Sequence, residues 1–174
     1  VTNSFSGSAG TLSIAEQEVG YFATAFERDV SQKENLKQVS FNLGDYASVE
    51  VWVNPVDSNP TSNNVKKVSD FTSVLTPGYH TIEFDPIELI GDSFLVIIKQ
   101  KSESGDFRFN VEFPCDDIIT VNATSKPGRN KISIDGKEWE NLEDALGEGL
   151  DANADFCIKA FTDIAKIQEE PDTD

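Results

Sequence analysis

Apolar side chains recur at every second position along much of this chain, and turn-forming residues interrupt the pattern at short intervals. Val39-Ser40-Phe41-Asn42-Leu43 alternates until Gly44-Asp45, and Val49-Glu50-Val51-Trp52-Val53 alternates until Asn54-Pro55. Phe107-Arg108-Phe109-Asn110-Val111-Glu112-Phe113 alternates until Pro114. Successive side chains of a strand point to opposite faces, so period two marks strands with one face buried and one face wet. Thr81–Phe84 leaves a Pro77-Gly78 turn and ends at Asp85-Pro86. Phe94-Leu95-Val96-Ile97-Ile98 is apolar at every position, which predicts a central strand covered on both sides. Lys131–Ile134 and Glu138-Trp139 flank Asp135-Gly136, a strong hairpin signal, and Phe156–Phe161 reads as a last strand. A single helical turn fits within 141–150, where Gly147 and Gly149 argue for loop instead. Many short strands separated by turns predict an all-β fold, an antiparallel sandwich or barrel.

At 174 residues the chain is sized for one domain. The expected layout is a flexible segment over 1–10, a sandwich over 11–165 and an acidic tail over 166–174, with an exposed Asp-, Ser-, Asn- and Pro-rich loop over 55–64. The formal net charge is −17, from 31 acidic against 14 basic residues. That field repels phosphate backbones and anionic lipid, which argues against nucleic-acid and membrane-surface binding, and it suits cations such as Ca²⁺. No apolar run approaches the roughly 20 residues that span a bilayer, so no membrane insertion is expected. The chain starts Val1-Thr2 and contains no Met, which reads as a piece of a longer protein whose targeting signal lies elsewhere. Cys115 and Cys157 are too few for a disulfide scaffold; their spacing leaves a bridge or two thiols open, and strand parity at Ile158 and Ala160 favours free thiols.

Several segments, in this order, resemble one family: Tyr21–Phe26, Leu36–Phe41, Val49–Val53, Pro77–Ile82, Phe94–Lys99, Ile132–Trp139 and Cys157–Thr162. It is the lectin-like domain that follows papain-like cysteine proteases in cell-surface proteins of Gram-positive anaerobes, with related modules in archaeal surface proteins. The Asp-Gly-x-x-Trp hairpin at Asp135–Trp139 and the closing Cys-Ile-Lys-Ala-Phe-Thr are its most specific pieces. The resemblance implies a jelly-roll sandwich like that of carbohydrate-binding modules, often holding a structural Ca²⁺, with the protease domain before residue 1. It implies an extracellular, cell-surface or secreted setting.

Catalysis finds little support. His80 is the only histidine, and neither Cys157, in mid-strand, nor Cys115, after Pro114, has the basic neighbourhood that activates a thiol. A carboxylate pair can always be drawn from 31 acids, so its availability carries no weight. Asp151-Ala152-Asn153-Ala154-Asp155 opens like an EF-hand loop, but Phe156 stands where Gly should follow and Thr162 where the bidentate Glu belongs. Alternate oxygen-bearing side chains of an extended segment can still face one cation. The family places calcium between the first and last strands and tends to carry an acid at the position of Glu18. The expected metal set is therefore Glu18, Asn153 and Asp155, with Asp151 as a further member; a solvated acidic loop is the plain alternative.

For a ligand, Trp52 is the best platform. Val51 and Val53 should enter the core, so Trp52 points the other way, with polar Asn54, Asp57 and Asn59 in the following loop. The alternative is that the loop 54–64 simply covers the ring. Trp139 belongs to the family hairpin and reads as packing, Tyr21, Tyr46 and Tyr79 are unplaced, and Asn122-Ala123-Thr124 is an incidental glycosylation pattern. The expected function is a non-catalytic module recognising glycan or a cell-wall or surface ligand through Trp52, Asn54 and Asp57. A structural spacer that packs on a neighbouring protease domain is the competing expectation.

Overall fold

The computed structural model describes residues 2–6, 9–112, 128–146 and 154–165. In chain order the elements are β1 (Thr2–Ser6), β2 (Ala9–Ile14), β3 (Val19–Glu27), β4 (Lys33–Leu43), β5 (Ala47–Asn54), β6 (Lys66–Ser69), β7 (Gly78–Leu89), β8 (Ser93–Ser102), β9 (Phe107–Glu112), β10 (Asn130–Ser133), β11 (Glu140–Asn141), α1 (Leu142–Leu146) and β12 (Lys159–Ala165). They form two six-stranded antiparallel sheets. The first runs β1-β2-β9-β4-β12 with β7 on the free side of β4, and the second runs β11-β10-β3-β8-β5-β6. Apart from the pairs β1-β2, β5-β6 and β10-β11, strands adjacent in the chain fall in opposite sheets: β3 pairs β8 while the intervening β4 pairs β7, the crossing pattern of an antiparallel β-sandwich.

The predicted alternation decides what lies between the sheets. Val39, Phe41 and Leu43 of β4, and Phe107, Phe109 and Val111 of β9, face Phe22 of β3, Val96 and Ile98 of β8 and Val49, Val51 and Val53 of β5, all buried. Phe156 is wedged between the layers, 5.3 Å from the Phe22 ring and 5.9 Å from Phe109. Gly20 of β3 leaves room for a neighbouring ring, since a Cβ there would lie 1.8 Å from Phe107. Phe94–Ile98 is the buried middle of β8, flanked by β3 and β5, as its uninterrupted apolar run requires.

Three expectations change. The chain before Glu16 supplies β1 and β2, paired from Thr2↔Ser13 to Ser6↔Ala9, so Glu16–Glu18 precede the third strand and not the first. The last strand begins at Lys159, not Phe156, because Cys157 takes a left-handed φ of +57°, which no extended strand accommodates. The turn after Asn141 is helical, though only one turn long. Among the described residues no helix is long and apolar enough to cross a membrane.

Candidate ligand-binding face

The outward positions of the second sheet are unlike an ordinary wet face. Register places Lys131, Ala23, Ile97, Trp52 and Lys67 in one row across β10, β3, β8, β5 and β6. The adjoining row runs Ser133, Tyr21, Lys99, Glu50. Ala23, Leu95 and Ile97 are buried although they point away from the main core, covered by Tyr21, Trp52, Val65 and Trp139. The second sheet therefore carries a small apolar layer on its outside, roofed by aromatic rings.

Trp52 points outward as parity predicts, and its Nε1–H donates to Glu50 Oε1 at 2.6 Å, which fixes the indole on the sheet. Val65, at the end of the long loop, packs beside it, so the ring is half-buried rather than either bare or covered. Trp139 meets Tyr21 edge-on, 6.0 Å between centroids, and its Nε1–H donates to the Gly136 carbonyl at 3.2 Å. The hairpin turn makes this contact possible. Gly136 takes a φ of +76°, and a Cβ on it would come within 2.9 Å of the Tyr21 ring. Asp135 Oδ1 accepts the backbone N–H groups of Lys137 and Glu138 at 2.8 and 2.9 Å, and these bonds hold its carboxyl below the usual aspartate range. Lys99 Nζ stands between two rings, 5.6 Å from the Tyr21 centroid and 5.4 Å from that of the exposed Phe71.

Asn54 is a correction. It is fully buried, its amide donates to Asp57 Oδ1 and the Asn59 carbonyl, and its carbonyl accepts from the Val56 and Asp57 N–H groups. With every polar atom used in folding the loop, it has nothing left to offer a ligand. Asp57 shares that role, accepting also from the Asn59 N–H. The loop is an Asx-built structure beside Trp52.

The expected metal set does not assemble as drawn. Asp151 and Asn153 lie outside the described residues, as do Cys115 and Asn122. Glu18 precedes β3, exposed and 4.0 Å from Lys101, whereas Asp155 Oδ2 lies 3.6 Å from Arg129, whose Nε donates to the Ala25 carbonyl near the far end of β3. Seven residues of strand separate Glu18 from Ala25, roughly 23 Å of rise, while calcium ligands stand about 2.3–2.6 Å from the ion. Glu18 and Asp155 therefore cannot share one cation. Among the described residues no group of three or more His, Cys, Asp or Glu converges. Asp155 Oδ1 is nevertheless buried without a hydrogen-bond partner.

The thiol and the imidazole do not form a pair. His80 Nε2 lies 2.5 Å from the Thr76 carbonyl. Cys157 is a buried free thiol whose ionisation is pushed up, first by burial and then by Glu112 beside it. A thiol held protonated is the opposite of an activated nucleophile.

The sequence assigns no role to Glu50, Phe71 or Lys99 and leaves Tyr21 unplaced, while its reading of Trp139 as packing fits the contact with Tyr21. Tyr21 shares the outward parity of Ala23 and Ala25, and Lys99 that of Ile97, so their face was readable; their meeting with Phe71 and Trp139 needed the strand order.

Two antiparallel sheets packed on one shared core make this a β-sandwich domain. The sequence matches the Lectin like domain family over residues 5–162, and the chain belongs to that family. Two solved structures share the fold. One holds the cysteine protease and lectin-like domains of Cwp84, a surface layer associated protein of Clostridium difficile, at 19% identity and a TM-score of 0.64, covering 85% of this chain and 33% of that one. The other is the clostridial cysteine protease Cwp84 after propeptide cleavage, at 18% identity and a TM-score of 0.66, covering 89% and 37%. The chain thus spans about a third of the length of these proteins. No curated protein sequence matches it.

Proposed function

We propose that this domain is a non-catalytic binding module of a cell-surface or secreted protein, accessory to a cysteine protease, and that it recognises glycan of the cell wall or a neighbouring surface. The observation that carries this reading is the aromatic roof on the second sheet. Trp52 and Tyr21 lie over Ala23 and Ile97, so each presents a supported ring to solvent, and a pyranose can lay its C–H face on such a ring with little ordering cost. Lys99 and Lys67 border the rings with groups that bind hydroxyls. Recognition of this kind needs no covalent step, which agrees with the protonated Cys157 and the distant use of His80. A glycan array with the wild-type domain and Trp52→Ala tests it: binding of a defined saccharide that the variant loses supports the reading, and silence of the wild type promotes the competing spacer role. That role draws on Phe71, 41% exposed beside the same rings, as a contact for an adjoining domain.

The calcium reading now rests on Asp155 with Asp151 and Asn153, without Glu18, and the unpartnered Asp155 Oδ1 supports it. An ion there would stabilise the chain without touching ligand. Melting with and without EDTA tests it, and an unchanged midpoint removes the ion.

A further inference from the structure

Charge is not shared evenly between the sheets. The strands of the second sheet carry five lysines and three glutamates, whereas those of the first carry four basic and six acidic residues. In a chain of net charge −17, the strands that carry the aromatic face thus hold more lysines than carboxylates, whereas the strands of the first sheet hold fewer basic than acidic residues. Its cations are not equally free. Lys67 pairs with Asp70 at 2.8 Å, Lys101 lies 4.0 Å from Glu18, and Lys131 donates to Asn141 Oδ1 at 2.9 Å. Among the described residues no carboxylate lies within ion-pair distance of Lys66 or Lys99, and of the five lysines Lys99 alone has aromatic rings beside it, those of Tyr21 and Phe71. Aromatic faces hold a cation in place without neutralising it. A carboxylate arriving at Lys99 gains a charge-assisted hydrogen bond while the sugar that bears it packs on the adjoining ring.

We propose that the saccharide bound on this face carries a carboxylate, received by Lys99 between Tyr21 and Phe71. The proposal rests on the glycan reading above. The acidity of the rest of the molecule does not oppose it at contact range, because at physiological salt charges beyond about 8 Å are largely screened. A long polyphosphate would overlie the acidic surroundings; a single carboxylate per few sugars need not.

The test uses pairs with a shared sugar backbone, one member acidic and the other neutral: a GlcNAc-MurNAc tetrasaccharide against chitotetraose, and an oligogalacturonate against its methyl ester, each titrated calorimetrically into the domain at constant ionic strength. We expect an acidic member to bind at least tenfold more tightly than its neutral counterpart. Lys99→Gln should bring that ratio close to one and Lys99→Arg should keep it, with unchanged melting confirming that both variants fold. Equal binding of both members, or a preference that survives Lys99→Gln, overturns the proposal and leaves the glycan reading standing. Binding of no member overturns both.

Discussion

The two outer faces of this sandwich are built from the same alternation and end up chemically different. On the first sheet many outward side chains are polar and bond to one another across strands. Ser40 meets Thr81 at 2.7 Å, Thr11 donates to Asn110 at 2.6 Å, Asn110 donates to Asn42 at 3.0 Å, and Tyr79 donates to Glu112 at 2.9 Å. Its rings stand singly: Tyr79 is 55% exposed and Phe161 38%. On the second sheet the outward positions bury Ala23, Leu95 and Ile97 beneath Tyr21, Trp52 and Trp139. An antiparallel sheet needs one apolar face to fold, and the polar face of the first sheet shows that this chain can supply the ordinary kind. The extra layer on the second sheet is not required to close the sandwich. That surplus is the physical ground for placing function there.

The comparison presumes that one shared core backs both faces, and the largest expected effect tests this. Gly20→Ala would drive a Cβ to 1.8 Å from the Phe107 ring, between the sheets. Overpacking of this kind costs roughly 1–3 kcal/mol, and urea melting should show a loss at the top of that range, in one transition that unfolds both faces together. Two separated transitions would break the description of the sheets as one cooperative unit.

Binding comes next. A buried tryptophan at the centre of a contact is commonly worth about 2 kcal/mol, or roughly thirtyfold in affinity. Trp52→Ala should weaken binding of whichever saccharide the domain recognises by that much, and Tyr79→Ala should change it less than twofold. Trp52→Phe, which keeps the ring and removes the bond to Glu50, should fall between. If Tyr79→Ala abolishes binding while Trp52→Ala spares it, the site belongs to the polar face and the assignment is reversed.

The sequence exposed the sandwich and its outward rings unequally. Period two is a local property, so Val51, Trp52 and Val53 could be sorted into in, out and in without knowing any partner strand. The same counting places Tyr21 with Ala23 and Lys99 with Ile97. What it cannot supply is adjacency. That Lys99 stands between Tyr21 and Phe71 depends on β3, β8 and β5 being neighbours and on the loop after β6 returning over them, which are long-range facts. The reading of Asn54 as a ligand group failed for a related reason. An Asn beside an exposed Trp looks available until the turn that consumes its amide is seen. Glu18 and Asp155 failed as a pair because two strands precede β3, which removes Glu18 from the chain's first strand. Short strands such as β1, rich in Ser and Asn, carry little hydrophobic signal and are stabilised by pairing with β2.

The polar face should also be chemically quiet. Burial pushes the Cys157 thiol up, so it stays protonated at neutral pH, and any stability linked to it is present below the ordinary thiol value and lost only as pH rises above it. Alkylation by iodoacetamide at pH 8 should run at least about tenfold slower in the native domain than in urea. Equal rates would mean that the thiol is open and ionised, and a reactive centre on the first sheet would have to be reconsidered.

The smallest effect concerns the turn that carries Trp139 onto Tyr21. Asp135 is held below the usual 3.8, first by the Glu138 and then by the Lys137 backbone N–H. A carboxyl with a depressed folded value stabilises the native state above its unfolded value and loses that contribution as pH falls through the folded one. Asp135 is solvent-exposed, so the effect on the whole domain should be slight: Asp135→Ala should lower the melting midpoint by about 2 °C at pH 7 and by nothing measurable below the folded value, where the wild-type carboxyl is also neutral. Asp135→Asn keeps an oxygen for the two N–H groups and should retain most of the midpoint while losing its dependence on pH. The sharper readout is Trp139 fluorescence in a Trp52→Phe background, because loosening the turn lets the indole leave Tyr21 before anything unfolds. A Trp139 signal that ignores both the substitution and the acid would show that Trp139 is held by the aromatic layer itself and not by the turn, making that layer a rigid surface independent of its hairpin.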